Sequence, residues 1–403
     1  MRRLLKAENR FPSGMTNLRD SLRTTGFGND KPKGFPSETG GFLGNDTGGS
    51  FGNDKRKGFP SGVRTSRFPS GMTSKRNAKR RNAKTQADPG NRGDMEYRQL
   101  GQTSLQLSVL GFGASPLGDV FRKTEPAERN AAVHFAVDQG INFFDVSPYY
   151  GITLAETRLG EALEGRRDKV VLATKCGRYG GAEFDFSEHA IVAGFEESLK
   201  RLRTDHVDLL QAHDVEFGHV DQIVDETIPA MRMLQEQGKA RYIGITGYSL
   251  KNLMAIADEA ELDSILSYCR YNLLITDLDC ELVPFARKNG IGVINASPLH
   301  MGIITERGAP EWHPAAQAVR DAGQRVVALC KARGLDASEV ALKFCLEYGG
   351  AASTLVGLSC REHVERNLKA MELKLDAELL AEIAKVVAPA NPTQRPSSST
   401  SRC

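Results

Sequence analysis

Residues 95–388 predict a (β/α)8 barrel, and three observations carry the prediction. Apolar strand-like segments alternate with helix-like ones, eight strands in all. The first of them runs into GFGASPLG, which lacks the GxGxxG spacing that a doubly wound dinucleotide-binding sheet needs. Three polar residues stand at the carboxyl ends of strands, where a barrel gathers its site.

In chain order, EYRQL and LQLSV flank a turn at Gly101–Thr103 and read as a short hairpin. The strands follow as VLGFGAS (109–115), INFFDV (141–146), VVLATK (170–175), VDLLQAH (207–213), YIGIT (242–246), ILSYCRYN (265–272), IGVINAS (291–297) and STLVGL (353–358). Between the third and fourth, Ile191, Val192, Phe195, Leu199 and Leu202 share one helical stripe. Further helices are expected over 131–137, 277–287, 315–332 and 362–371.

The 403-residue chain has a net charge of only +3, but its two regions differ. Residues 1–94 carry more than twice as many Lys and Arg as Asp and Glu, while the remainder is net acidic. That leading segment is also repetitive. GNDKPKGFPS at 28–37 returns as GNDKRKGFPS at 52–61, and FPSGMT and RNAK each occur twice. Rich in Gly, Ser, Asn and Lys and without a periodic apolar face, it cannot bury enough surface to offset its chain entropy, so a disordered tail is expected. Its readings are a basic arm for a polyanion, a transit peptide, or an upstream extension of a protein that starts at Met95. Little Tyr or Trp is interleaved with the charge, so nucleic acid is not an expected partner. Residues 389–403 read as a flexible tail.

No run of 18 uncharged apolar residues predicts a membrane span. The seven cysteines form no CxxC pair and no metal-finger spacing, so the expectation is a cytoplasmic protein with reduced thiols and no metal.

The chemistry concentrates in four residues. Asp145 ends INFFD, Lys175 ends VVLATK, His213 follows VDLLQA, and Tyr150 lies in the Pro/Gly turn after Asp145. Singly, each has a bland reading: a cap, a structural histidine, a snorkelling lysine. Together they make an acid–base group. An ammonium beside a phenol stabilises the phenolate and lowers its pKa, a carboxylate can hold that ammonium, and an imidazole can orient a substrate oxygen. Cys176 has nothing adjacent to activate it and reads as packing.

In order and context these four match the catalytic tetrad of the aldo-keto reductase superfamily, which residues 95–388 resemble. The strings GFGASPLGDVF, INFFDVSPYYG, ATKCGRY, FDFS, DETIPA, YIGITG, ILSYC, ASPL and EWHPA resemble its plant L-galactose-oxidising branch. The resemblance implies NAD-dependent oxidation of an aldose, L-galactose or a similar sugar, at C1 to the 1,4-lactone. It implies a nicotinamide cofactor across the barrel mouth, with Ser297 and Leu299 at the pyrophosphate, Thr246 near the carboxamide and Tyr268 near the nicotinamide. Gly357, His363 and Asn367 fall at the adenosine end. Better-known reductases carry Ser-Asn where this chain has Thr246-Gly247, and Gln where it has Tyr268. NADPH-using relatives carry Lys at the position of Gly357 and Arg at that of His363, so their loss favours NAD over NADP. Trp312 and His313 could close over the sugar. Bacterial L-fucose (D-threo-aldose) or pyridoxal dehydrogenation, a general aldehyde reductase, and a non-catalytic redox-sensing subunit remain as alternatives.

Overall fold

The computed structural model describes residues 95–120, 123–311 and 313–390. The expected tail over 1–94, the closing Trp312 and the end of the 389–403 segment lie outside the described residues. Among the described residues no helix is long and apolar enough to cross a membrane.

Two short strands, β1 (Tyr97–Gln99) and β2 (Gln106–Ser108), pair antiparallel with Tyr97 opposite Ser108. The next eight are β3 (Leu110–Gly113), β4 (Phe143–Asp145), β5 (Val171–Cys176), β6 (Val207–Ala212), β7 (Ala240–Gly247), β8 (Ser264–Tyr268), β9 (Gly292–Ala296) and β10 (Ser353–Gly357). They form a closed barrel of parallel strands in chain order, sealed where β10 pairs with β3. This is the (β/α)8 architecture expected from the alternation.

Period-two side-chain geometry sets what each strand offers. Phe143, Ala173, Leu209, Leu266, Ile294 and Leu355 form the barrel interior, and Leu100, Leu105 and Leu107 of the hairpin join them, plugging its amino-terminal end. Their strand neighbours Phe144, Leu172, Leu210, Ile265, Val293 and Val356 pack outward in the large core beneath the helices. Two residues further along, the inward rows reach Asp145, Lys175, Gln211, Tyr268, Ala296 and Gly357. One interior is therefore apolar below and polar at its carboxyl-end mouth.

The stripe on 188–202 forms the helix Glu188–Leu202, capped by Ser187. The helix expected over 277–287 is divided at Glu281 into Asp277–Cys280 and Leu282–Asn289. Several helices not anticipated, including Leu154–Ala162 and Ala377–Val387, complete the outer ring.

Glu156 links the ring to the mouth. Fully buried on helix Leu154–Ala162, it accepts hydrogen bonds from Thr174 Oγ1 at 2.5 Å and from Arg201 Nε at 2.7 Å. Thr174 precedes Lys175, so this carboxylate ties the segment after Tyr150 to the strand bearing the lysine. Removing one partner of such a pair leaves an uncompensated charge and costs about 3 kcal/mol. Glu156→Ala should therefore lower the chemical-denaturation midpoint by a matching amount; an unchanged midpoint would show that the pair contributes nothing.

Candidate active site

Lys175 is 1% exposed, a position no lysine holds without compensation. Its Nζ donates to Asp145 Oδ1 and, at 2.9 Å, to the carbonyl of Val146, and it stands beside the Tyr150 ring. Gln211 Nε2 donates to the other Asp145 oxygen at 2.9 Å. Burial opposes charge on Lys175, but Asp145 and Tyr150 outweigh it and hold its pKa above the ordinary lysine range. The snorkelling and helix-cap readings of Lys175 and Asp145 are thereby excluded.

Tyr150 reaches this pair through a tight turn. Its N–H donates to Ser147 O at 3.1 Å and its carbonyl accepts from Ala155 N at 3.2 Å. Gly151 sits at φ +61 against Gly118, where any Cβ would overlap the Gly118 carbonyl. The Tyr150 ring lies with its centroid 5.0 Å from Lys175 Nζ and edge-on to His213, centroids 5.7 Å apart. One expectation needs correction. Burial pushes the Tyr150 phenol up to about 12; Lys175 pulls it down, while Asp145 and Asp214 push it further up. Without other occupants of the mouth, desolvation outweighs the ammonium, whose effect is to limit the rise.

His213 is buried and neutral. Burial, with the positive charges of Lys175 and Arg178, holds its pKa well below the usual 6.5. Its Nδ1 lies 3.0 Å from Ser147 Oγ, which already accepts the Tyr149 N–H at 3.1 Å. When Ser147 donates to Nδ1, the imidazole proton sits on Nε2. A neutral imidazole with Nε2–H is a donor to a substrate oxygen.

A second charged pair borders the mouth. Arg178 pairs with buried Asp214 and stacks 3.6 Å from the Tyr149 ring centroid. The Asp214 N–H donates to Thr246 Oγ1 at 3.1 Å. Of the nine non-glycine residues with positive φ among the described residues, eight lie in loops after barrel strands, among them Asp214, Cys269 and Ser297. Strain gathered at one end of a barrel marks the loops that shape a site.

The remaining sequence-predicted contacts occupy the same rim. Thr246, Tyr268, Ser297 and Leu299 follow or end β7, β8 and β9. Gly357 ends β10 in the open, and His363 and Asn367 project from helix Arg361–Met371, with His363 Nδ1 3.4 Å from Ser359 Oγ. The two arginines there are engaged, Arg361 with Glu365 at 2.7 Å and Arg366 with Asp336 and Glu339. An extended dinucleotide suits this rim, since Gly357, Arg361 and His363 stand exposed at the end of β10 and the start of the helix that follows it.

Sequence reading missed Ser147, Arg178, Gln211 and Asp214. Gln211 was findable, two residues before His213 on an inward row; the others meet only across loops. Ser147→Ala frees Nδ1 to take the proton, and a drop in kcat of about tenfold with little change in fold is expected. Unaltered kcat would remove Ser147 from the tautomer argument.

Residues 109–388 match the model of the aldo/keto reductase family. The chain is 45% identical over 305 residues to L-galactose dehydrogenase of Arabidopsis thaliana, covering 73% of this chain and 95% of that protein. It is 30% identical to D-threo-aldose 1-dehydrogenase of a Pseudomonas species, over 70% of this chain and 94% of the relative. Among solved structures, an aldo-keto reductase of Bacillus halodurans in its holo form superposes with a TM-score of 0.63 at 30% identity, covering 72% and 96% of the two chains.

Proposed function

The chain belongs to the aldo/keto reductase family, oxidoreductases that use nicotinamide cofactors, and from that premise we propose that it oxidises an aldose at C1 with NAD. L-Galactose, giving the 1,4-lactone, is the substrate the similarity to the Arabidopsis enzyme favours. The observation that carries the reading is the buried Lys175, held between Asp145 and Tyr150.

A nicotinamide ring, when bound, supplies the hydride acceptor. The chain's residues handle the proton. Tyr150 takes it from the C1 hydroxyl, with Lys175 stabilising the phenolate and Asp145 and Gln211 keeping Lys175 in place. His213 donates from Nε2 to the sugar oxygen and fixes its orientation. Thr246, Tyr268, Ser297 and Leu299 hold the nicotinamide and pyrophosphate, and Gly357, His363 and Asn367 the adenosine. NAD is favoured over NADP because the rim offers no Lys at 357, and Arg361 and Arg366 are already paired with carboxylates. Cys176, Cys269, Cys330, Cys345 and Cys360 carry buried free thiols, whereas Cys280 is disulfide-bonded, so the expectation of reduced thiols does not hold throughout and cysteine state does not single out a compartment.

Initial rates with NAD and NADP against L-galactose, L-fucose and pyridoxal test the reading. Expected is turnover with NAD and L-galactose; preference for pyridoxal or NADP would overturn the finer assignment. Tyr150→Phe should abolish turnover and leave NAD affinity nearly unchanged.

A base whose pKa lies high also predicts a direction with pH. Oxidation by Tyr150 needs the phenolate, so its rate should keep climbing from about pH 7 to 10. A flat profile across that range would exclude Tyr150 as the base.

A further inference from the structure

The mechanism above leaves the Arg178–Asp214 pair without a task. Both residues stand in loops at the barrel mouth, Arg178 after β5 and Asp214 directly after His213. Neither is needed to close the barrel, and burying such a pair carries a desolvation cost. The chain nevertheless holds it firmly. Asp214 adopts a left-handed backbone conformation at φ +52, and Thr246 Oγ1 takes its N–H. Its side chain is 4% exposed and accepts from Arg178 Nη1. The guanidinium lies over two rings, 3.6 Å from the Tyr149 centroid and 5.0 Å from that of Phe184.

A guanidinium presents five N–H groups in a rigid fork. One on Nη1 serves Asp214, and one on Nη2 reaches Gly181 O at 3.4 Å, longer than an ordinary hydrogen bond. Nε is buried without a partner among the described residues. One hydrogen on each Nη is therefore left without an acceptor among those residues. The Arg178 side chain is 16% exposed, so it offers a ligand the area that its carboxylate partner does not. It also adjoins the imidazole. Asp214 Oδ2, which it holds, is 3.7 Å from His213 Nε2, and the Tyr149 ring is edge-on to His213 with centroids 6.0 Å apart. Because Asp214 offsets the guanidinium charge, these spare donors suit a neutral hydroxyl better than an anion.

An oxygen held by Nε2 has this guanidinium as a close neighbour. In an aldose, the hydroxyl on C2 stands about one hydrogen-bond length from that on C1. We propose that Arg178, held by Asp214 and the two rings, donates to the C2 hydroxyl oxygen of the aldose and so selects sugars that carry it. This assignment rests on the C1-oxidation reading given above. Arg178 is a positioning residue, and no proton or electron passes through it.

The test compares kcat/KM, at saturating NAD, for L-galactose and for 2-deoxy-L-galactose, which lacks only that hydroxyl. Wild type should prefer L-galactose by about 10- to 100-fold, the worth of one hydrogen bond to a charged donor. The double variant Arg178→Met, Asp214→Asn removes both charges and leaves neither uncompensated; its preference should shrink by that same factor. Loss of folded protein or of general activity lowers both rates and leaves their ratio untouched. Calorimetry of the two sugars on NADH-loaded protein, where no turnover occurs, reads the ratio in a variant too slow to assay. An unchanged ratio in the double variant would overturn the assignment. Turnover of neither sugar by wild type would instead overturn the C1-oxidation reading beneath it, and the assignment with it.

Discussion

The ion pair between Lys175 and Asp145 is where the fold and the chemistry meet. Both side chains come from inward rows of neighbouring strands, one step above an apolar interior that has no water to offer them. A lone charge there would be expelled or neutralised. The pair persists because Val146 O and Gln211 Nε2 complete its hydrogen bonds. The same constraint that keeps the ammonium charged delivers it to the phenol, so the barrel cannot form its mouth in this way without also placing a cation beside Tyr150.

Low dielectric then sorts the neighbours into roles. Burial alone would take Tyr150 far from use, and the ammonium opposes that rise. Burial, with this charge and that of Arg178, keeps His213 neutral and able to donate from Nε2 when Ser147 donates to Nδ1. Asp214 neutralises Arg178 nearby. Tyr150, Lys175, His213 and Asp214, gathered at one barrel end, are thus driven apart in character by their surroundings, a pattern expected of a proton-handling site.

Much of this was legible in the chain. Strand-end positions are local information: period-two alternation within each segment carries a polar residue to the mouth, and Asp145, Lys175 and His213 were found that way. Tyr150 was found because Pro148 and Gly151 force a turn that returns toward the strand. What escaped is non-local. Ser147 and Tyr149 meet His213 and Arg178 only once β4, β5 and β6 are adjacent. The net shift of Tyr150 was misjudged for the same reason. A charge partner can be read from a sequence, but the depth of burial opposing it cannot.

The central claim is that Lys175 holds the phenolate of Tyr150 within chemical reach. Titrating Tyr150 by carbon-13 NMR of its ring carbon, in wild type and in Lys175→Met, tests it directly. The account expects the wild-type phenol to titrate at clearly lower pH than in the variant. Identical midpoints, or a lower one in the variant, would contradict it.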